Sequence, residues 1–195
     1  IALAKNIVQG NCALKFKGNW NFRYEQRGTD IYGKTLGILG LGRIGRRVAK
    51  RAKGFDMKVL VYDPYVNKDS ASKVGIELVD LETLLKSSDF VTVHVPLTEE
   101  TRKILGEREF NLMKPEAFLV NTSRGGVVDE RAMIKALSTG RLAGAGLDVF
   151  EKEPPDLEDP LFKLDNVIVT PHMASHTVES LRKMAIEVAE GVVKV

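Results

Sequence analysis

Gly40-Leu41-Gly42-Arg43-Ile44-Gly45 constrains the fold of this chain more than any other stretch. A G-x-G-x-x-G pattern carries weight only through its setting. Here it follows the β-like run Thr35–Leu39 and opens a helical pattern from Arg43 to Lys53. The first glycine permits a tight turn, the second lets a pyrophosphate approach the backbone, and the third lets the helix pack close to the strand. Free N–H groups at the helix start, and the helix dipole, favour phosphate charge. Asp63 closes the next apolar strand, Met57–Tyr62, eighteen residues after Gly45. A carboxylate there is placed to accept hydrogen bonds from the adenosine ribose and to repel a 2′-phosphate, which predicts NAD rather than NADP. Gly40, Gly42, Gly45 and Asp63 are therefore expected to bind the cofactor.

The rest of the chain keeps this rhythm. Ile1 to about Phe16 reads as a helix, and a polar arm dotted with aromatics runs from Lys17 to Tyr32. Further strands are expected at Phe90–Val95, Ala117–Val120, Ala143–Val149 and Val167–Val169. Helices are expected at Leu81–Leu85, at Asp129–Ser138 and from Thr177 onward. In the helix from Arg43 to Lys53, Ile44, Val48 and Ala52 recur every four residues, which predicts one buried face. Continuous apolar strands alternating with helices point to a parallel sheet covered on both faces. The expected fold is α/β, a Rossmann-type doubly wound parallel sheet forming a single nucleotide-binding domain over residues 35–176. A linking helix and arm (1–34) precede it and a final helix (177–195) follows. The chain opens without Met on a helical pattern and stops inside an amphipathic one, so an excised domain is expected.

Several other functions find little support. A net charge of +3 does not by itself suggest nucleic acid. The basic helix with Arg43, Arg46, Arg47, Lys50, Arg51 and Lys53 has no interleaved aromatics and reads as a solvated face. No apolar run approaches the length of a membrane span. One cysteine, Cys12, excludes an internal disulfide, and with no visible signal peptide a cytoplasmic protein is expected. Gly28 to Thr35 matches the P-loop pattern letter for letter, but it runs into a strand where a P-loop must open a helix. Asn121-Thr122-Ser123 matches a glycosylation acceptor by coincidence. His172 and His176 have a zinc-like spacing without a clear third ligand, so no metal is expected.

Three further blocks hold candidate chemistry. Asn121 to Gly126 sits at a strand end, where ligands bind in open α/β sheets. Within it Arg124 offers a planar fork suited to a carboxylate. Leu147 to Pro154 follows another strand and carries Asp148 and Glu153. Thr170 to Ser175 carries His172, the best acid/base candidate in the chain. His94 ends a strand and is either packed there or turned to the cofactor cleft.

Taken together, Gly37–Gly45, Tyr62-Asp63-Pro64, His94–Thr98, Asn121–Gly125, Gly146–Phe150, Glu153-Pro154 and Thr170-Pro171-His172 resemble the D-2-hydroxyacid dehydrogenase family over nearly the whole chain. Within that family the phosphoglycerate dehydrogenases are favoured, beside glyoxylate and hydroxypyruvate reductases. The resemblance implies an NAD-dependent oxidoreductase acting on 2-hydroxy or 2-keto acids. It implies a catalytic set of Arg124 on the substrate carboxylate and carbonyl, Glu153 paired with His172, and His172 moving the proton. It places the backbone of Arg43 and Ile44 on the pyrophosphate and Asp148 near the nicotinamide. Val95, Pro96, Thr122, Ser123 and Ala174 are expected at the cofactor cleft, together with Arg124 and His172. It further implies a homodimer contact through residues 1–34, and a substrate domain that this chain lacks. The alternative on the same fold is an NAD-sensing corepressor-like binding protein, which keeps the same three residues.

Overall fold

The computed structural model describes residues 1–66 and 76–193. Its centre is a seven-stranded sheet in the order β3-β2-β1-β4-β5-β6-β7. The strands are β1 (Thr35–Leu39), β2 (Lys58–Tyr62), β3 (Glu77–Leu78), β4 (Phe90–Val93), β5 (Phe118–Asn121), β6 (Gly144–Leu147) and β7 (Val167–Val169). Every neighbouring pair is parallel. All strand C-termini therefore emerge at one edge. The chain winds outward from β1 through β2 to β3, then returns to β4 and winds the other way. The reversal lies between β1 and β4, which is where doubly wound sheets bind ligands.

Both sheet faces are buried, as parallel strands require. Successive residues of β1 divide between them: Ile38 packs with Val59, Val61, Ala49 and Ala52, whereas Leu39 packs with Val91, Val93 and Leu84. Each valine, leucine or isoleucine among them, wholly removed from water, stabilises the fold by about 1.5–3 kcal/mol. The helices are α1 (Ile7–Lys17), α2 (Phe22–Glu25), α3 (Arg43–Lys53), α4 (Leu81–Ser87), α5 (Glu107–Leu112), α6 (Glu130–Ser138) and α7 (Val178–Val193), of which α2 and α7 bury no residue. Aspartates start two of them. Asp80 accepts the Thr83 N–H at 2.8 Å, and Asp129 accepts the Ala132 N–H at 3.1 Å.

The structure corrects the sequence reading in four places. The first helix begins at Ile7, not Ile1, because the Ala4 carbonyl accepts the Thr29 N–H at 2.7 Å and Asn6 takes a left-handed φ of 50°. On α3 the buried stripe is Gly45, Ala49 and Ala52, while Ile44 is 64% exposed. The helix lies so close to the strand-end turn that only small residues fit beneath it, and the larger Ile44 is turned out. Strand β4 ends at Val93, two residues early, and β6 is confined to Gly144–Leu147. Finally, β3, α2 and α5 have no counterpart in the sequence reading; they span only two, four and six residues. Thr35, the last residue of the P-loop-like stretch, opens β1 rather than a helix.

Candidate active site

The site is built on the loops that leave the strand C-termini. After β1, Gly40 turns with φ +93°, and a Cβ there would lie 2.9 Å from the His94 backbone and from Val95 Cγ1. The glycine turn and the end of β4 are thus in contact. A Cβ on Gly45 would meet the Gly40 carbonyl at 2.1 Å, so α3 abuts the turn. Gly42 is the opposite case: a Cβ there would meet nothing within 4 Å, and Gly42, Arg43 and Ile44 are exposed. The first intrahelical donor of α3 is Arg46, to the Gly42 carbonyl at 3.1 Å. The N–H groups of Arg43, Ile44 and Gly45 therefore lack intrahelical acceptors.

Asp63 follows β2. Its Oδ2 accepts the Leu41 N–H at 2.7 Å and its Oδ1 accepts the Tyr65 N–H at 2.9 Å. The carboxylate is fixed beside the glycine turn, and each oxygen keeps a lone pair for another donor. Open space over Gly42, unpartnered helix N–H groups and an oriented carboxylate fit a dinucleotide: pyrophosphate on the helix N-terminus, ribose hydroxyls on Asp63.

Asn121, the last residue of β5, is almost wholly buried and governs the turn that holds Arg124. Its Oδ1 accepts the Ser123 N–H at 3.0 Å and the Ser123 hydroxyl at 2.9 Å, and its Nδ2 donates to the Arg124 carbonyl at 3.0 Å. Thr122 and Arg124 are left exposed at the tip. The Arg124 guanidinium donates from Nη1 to the Ser123 carbonyl at 2.6 Å, and among the described residues no carboxylate forms a direct ion pair with it, although its charge reaches Glu153. A surface ion pair does not account for this arginine.

Glu153 and His172 meet at 2.7 Å, Oε2 to Nδ1. The Glu153 Oε1 accepts the Phe150 N–H at 3.1 Å. The hydrogen bond from His172, outweighing burial and joined by the Phe150 N–H and the charges of His172 and Arg124, holds the Glu153 carboxyl below the usual glutamate range. An ionised carboxylate only accepts, so Nδ1 is the donor and Nε2 is left as the ring's acceptor. His172 has a φ of 51°. A left-handed non-glycine residue costs about 1–3 kcal/mol and persists only where its surroundings hold it.

Asp148 supplies that hold. It is buried, 3% exposed, and accepts the Thr170 hydroxyl together with the Met173 and Ala174 N–H groups, both at 2.8 Å. Burial pushes its carboxyl up, but these three donors and the His172 charge prevail, and it lies below the usual aspartate range. The sequence reading placed Asp148 beside the nicotinamide. The structure commits its carboxylate to the turn around His172, and the Ala174 N–H is committed with it. Val95 is half-buried and Pro96 exposed just beyond β4. His94 Nε2 lies 3.1 Å from the Thr92 hydroxyl, and burial lowers the ring's pKa, so His94 favours the neutral, packed state. His176 takes no part in the pair, and among the described residues no three His, Cys, Asp or Glu side chains are grouped to hold a metal ion.

Sequence reasoning gave no individual role to Asn121 or Thr170, and took Gly125 with Gly126 only as letting the backbone turn close to a ligand. A Cβ on Gly125 would lie 1.9 Å from the Phe150 carbonyl carbon, so the arginine turn packs directly on the loop that carries Glu153. An asparagine ending an apolar strand is a legible signal; a contact between two loops is not.

The family model for the D-isomer specific 2-hydroxyacid dehydrogenase, NAD binding domain, matches residues 1–174. The chain is 50% identical over 196 aligned residues to a glyoxylate reductase of Korarchaeum cryptofilum, covering 99% of this chain and 59% of that protein. It is 49% identical to a D-3-phosphoglycerate dehydrogenase of Methanocaldococcus jannaschii, covering 100% of this chain and 37% of that protein. The solved D-lactate dehydrogenase from Aquifex aeolicus, complexed with NAD and lactic acid, superposes with a TM-score of 0.87 at 37% identity, over 99% of this chain and 63% of that one. The chain thus spans between about a third and three fifths of the length of these relatives.

Proposed function

The chain belongs to the D-2-hydroxyacid dehydrogenase family, and from that premise we propose that it is the nicotinamide-binding half of an oxidoreductase interconverting a 2-hydroxy acid and its 2-keto acid. The observation that carries this reading is the 2.7 Å Glu153–His172 pair, set at the same sheet edge as the glycine turn and Arg124. Bound NAD supplies the hydride acceptor for oxidation and, reduced, the hydride donor for the reverse reaction. The residues of this chain handle everything else. Glu153 keeps His172 protonated at Nδ1, so that Nε2 takes the hydroxyl proton during oxidation and returns one to the C2 oxygen during reduction. Arg124 binds the substrate carboxylate through its planar fork and polarises the C2 oxygen. Asp148 keeps the strained His172 turn in place. With Asp63 beside the glycine turn, NAD is preferred to NADP.

Residues 1–34 are proposed to serve as the linking arm and homodimer contact, because Phe16, Trp20 and Tyr24 stand 72%, 60% and 69% exposed on it. With one cysteine and no helix, among the described residues, long and apolar enough to cross a membrane, a cytoplasmic setting is the one proposed. The test is NADH-dependent reduction, by the intact enzyme in which this half is joined to a substrate domain, of a panel of 2-keto acids that includes glyoxylate, hydroxypyruvate and its 3-phosphate. Turnover of at least one, lost in His172→Asn, is the expected result. Failure on every 2-keto acid, in protein shown to bind NADH, defeats the reading.

A further inference from the structure

Glu130, at the start of α6, is far in sequence from the proposed proton-handling pair, yet it grips the loop on which Glu153 hangs. Two consecutive backbone N–H groups of that loop have carboxylate partners. The Phe150 N–H donates to Glu153 Oε1 at 3.1 Å. The Glu151 N–H donates to Glu130 Oε2 at 2.8 Å. The bond is returned, because the Glu130 N–H donates to Glu151 Oε1 at 3.1 Å. Lys103 Nζ ties the arrangement together, 3.4 Å from Glu151 Oε1 and 3.2 Å from Asp129 Oδ2.

The same stretch is fixed from its other sides. Gly125 leaves no room for a Cβ against the Phe150 carbonyl. The Phe150 side chain is buried, its ring centroid 5.6 Å from that of Phe162. Once the planar Phe150–Glu151 peptide and the Phe150 side chain are fixed, the tetrahedral Phe150 Cα places the Phe150 nitrogen, and only φ remains to turn its N–H. That N–H holds one oxygen of Glu153, and the other oxygen holds His172.

We propose that Glu130 is a positioning residue: through the Glu151 N–H it sets the loop so that Glu153 presents Oε2 to His172 Nδ1, and thereby fixes the imidazole tautomer. The inference rests on reading Glu153 and His172 as the proton-handling pair. It adds a group that touches neither substrate nor cofactor. The Glu130 and Glu151 carboxylates repel each other at this loop crossing, so their reciprocal bonding is not explained by charge attraction. Burial pushes the Glu130 carboxyl above the usual range; the Glu151 N–H opposes this, and the Glu151 and Asp159 charges add to it. A neutral amide at this position is therefore tolerated, and the amide oxygen can still accept the Glu151 N–H.

Long-range 15N NMR of the chain's three histidines, at a pH where the rings are neutral, reads the tautomer directly. The wild-type chain is expected to show His172 protonated at Nδ1. Glu153→Ala should abolish that preference; Glu130→Ala should lower it in the same direction, while Glu130→Gln retains it. Should Glu130→Ala fail to fold, Glu151→Ala removes the reciprocal bond and the lysine contact and is expected to lower the preference as well. Alanine variants at Glu130 and Glu151 that keep the wild-type tautomer overturn the proposal. So does a Glu130→Gln effect as large as that of Glu130→Ala, which would make charge rather than the hydrogen bond the cause. An unchanged tautomer in Glu153→Ala instead defeats the pair itself, and the positioning role with it.

Discussion

Asp63 and Glu153 are both carboxylates engaged with backbone N–H groups, yet their chemistry diverges with their second partners. Asp63 has its orientation set by the Leu41 and Tyr65 N–H groups and has acceptor capacity to spare for a ribose. NADH is expected to bind at least about tenfold more tightly than NADPH, roughly one lost hydrogen-bonding pair plus charge repulsion. Fluorescence titration of the two cofactors measures this, and equal affinities would remove Asp63 from its assigned role. Asp63→Ala should narrow the gap by weakening NADH. Glu153 is held below the usual glutamate range chiefly by His172. A carboxyl that is depressed in the folded state binds its proton more readily in the unfolded chain. Its stabilising contribution is thus full above the ordinary glutamate value, about 4.3, and is lost as pH falls through the folded value. The Glu153 carboxyl carbon should titrate below the exposed glutamates by 13C NMR, and in His172→Asn it should move back toward them. An unmoved titration in that variant means that the imidazole does not hold the carboxylate down.

At the scale of elements, the site depends on how the loops after β5 and β6 pack on each other. Gly125 tests this, because a methyl group there would sit 1.9 Å from the Phe150 carbonyl carbon, a backbone atom with no flexible end to yield. Gly125→Ala should therefore destabilise the chain by about 1–3 kcal/mol through overpacking. Urea unfolding should show a lowered midpoint, and an unchanged midpoint would mean that the two loops can separate without cost. This contact also marks the limit of what the sequence discloses. The glycine turn, Asp63 and the strand-end blocks with Arg124, Glu153 and His172 were legible because each is a local pattern after an apolar run, and a parallel sheet brings all such ends to one edge. The Glu153–His172 pairing came through family resemblance. On α3 Val48 and Ala52 pack as expected and only Ile44 was misjudged, since periodicity counts apolar side chains and cannot anticipate that Gly45 must abut the Gly40 carbonyl. The bracing roles of Asp148 and Glu130 were not legible. Each joins groups whose approach is decided by loop geometry, with no spacing to announce it.

For the molecule as a whole, the two ends of the sheet edge do not make equal demands on their surroundings. The arm carries Phe16, Trp20 and Tyr24 into solvent, with the Arg23 guanidinium 4.8 Å from the Trp20 ring and 4.6 Å from the Tyr24 ring. Sedimentation is expected to show a dimer, weakened in Trp20→Ser/Tyr24→Ser; a wild-type monomer at micromolar concentration refutes the homodimer. The groups proposed to hold the cofactor, from Gly40 through Asp63 to the ends of β4 and β5, all stand at the C-terminal edge of one parallel sheet. Hydride transfer needs more. The substrate must be clamped in reacting geometry, where a misplacement of about 1 Å can cost a hundredfold, and water must be kept out. In this chain Arg124, Glu153 and His172 are exposed, so water competes for the arginine and screens its charge against a carboxylate. The 195-residue chain alone is therefore expected to bind NADH and reduce 2-keto acids negligibly. Calorimetry for binding and NADH absorbance for turnover, on one preparation, decide it. Robust turnover would show that these residues, alone or across a dimer, already enclose a working active site.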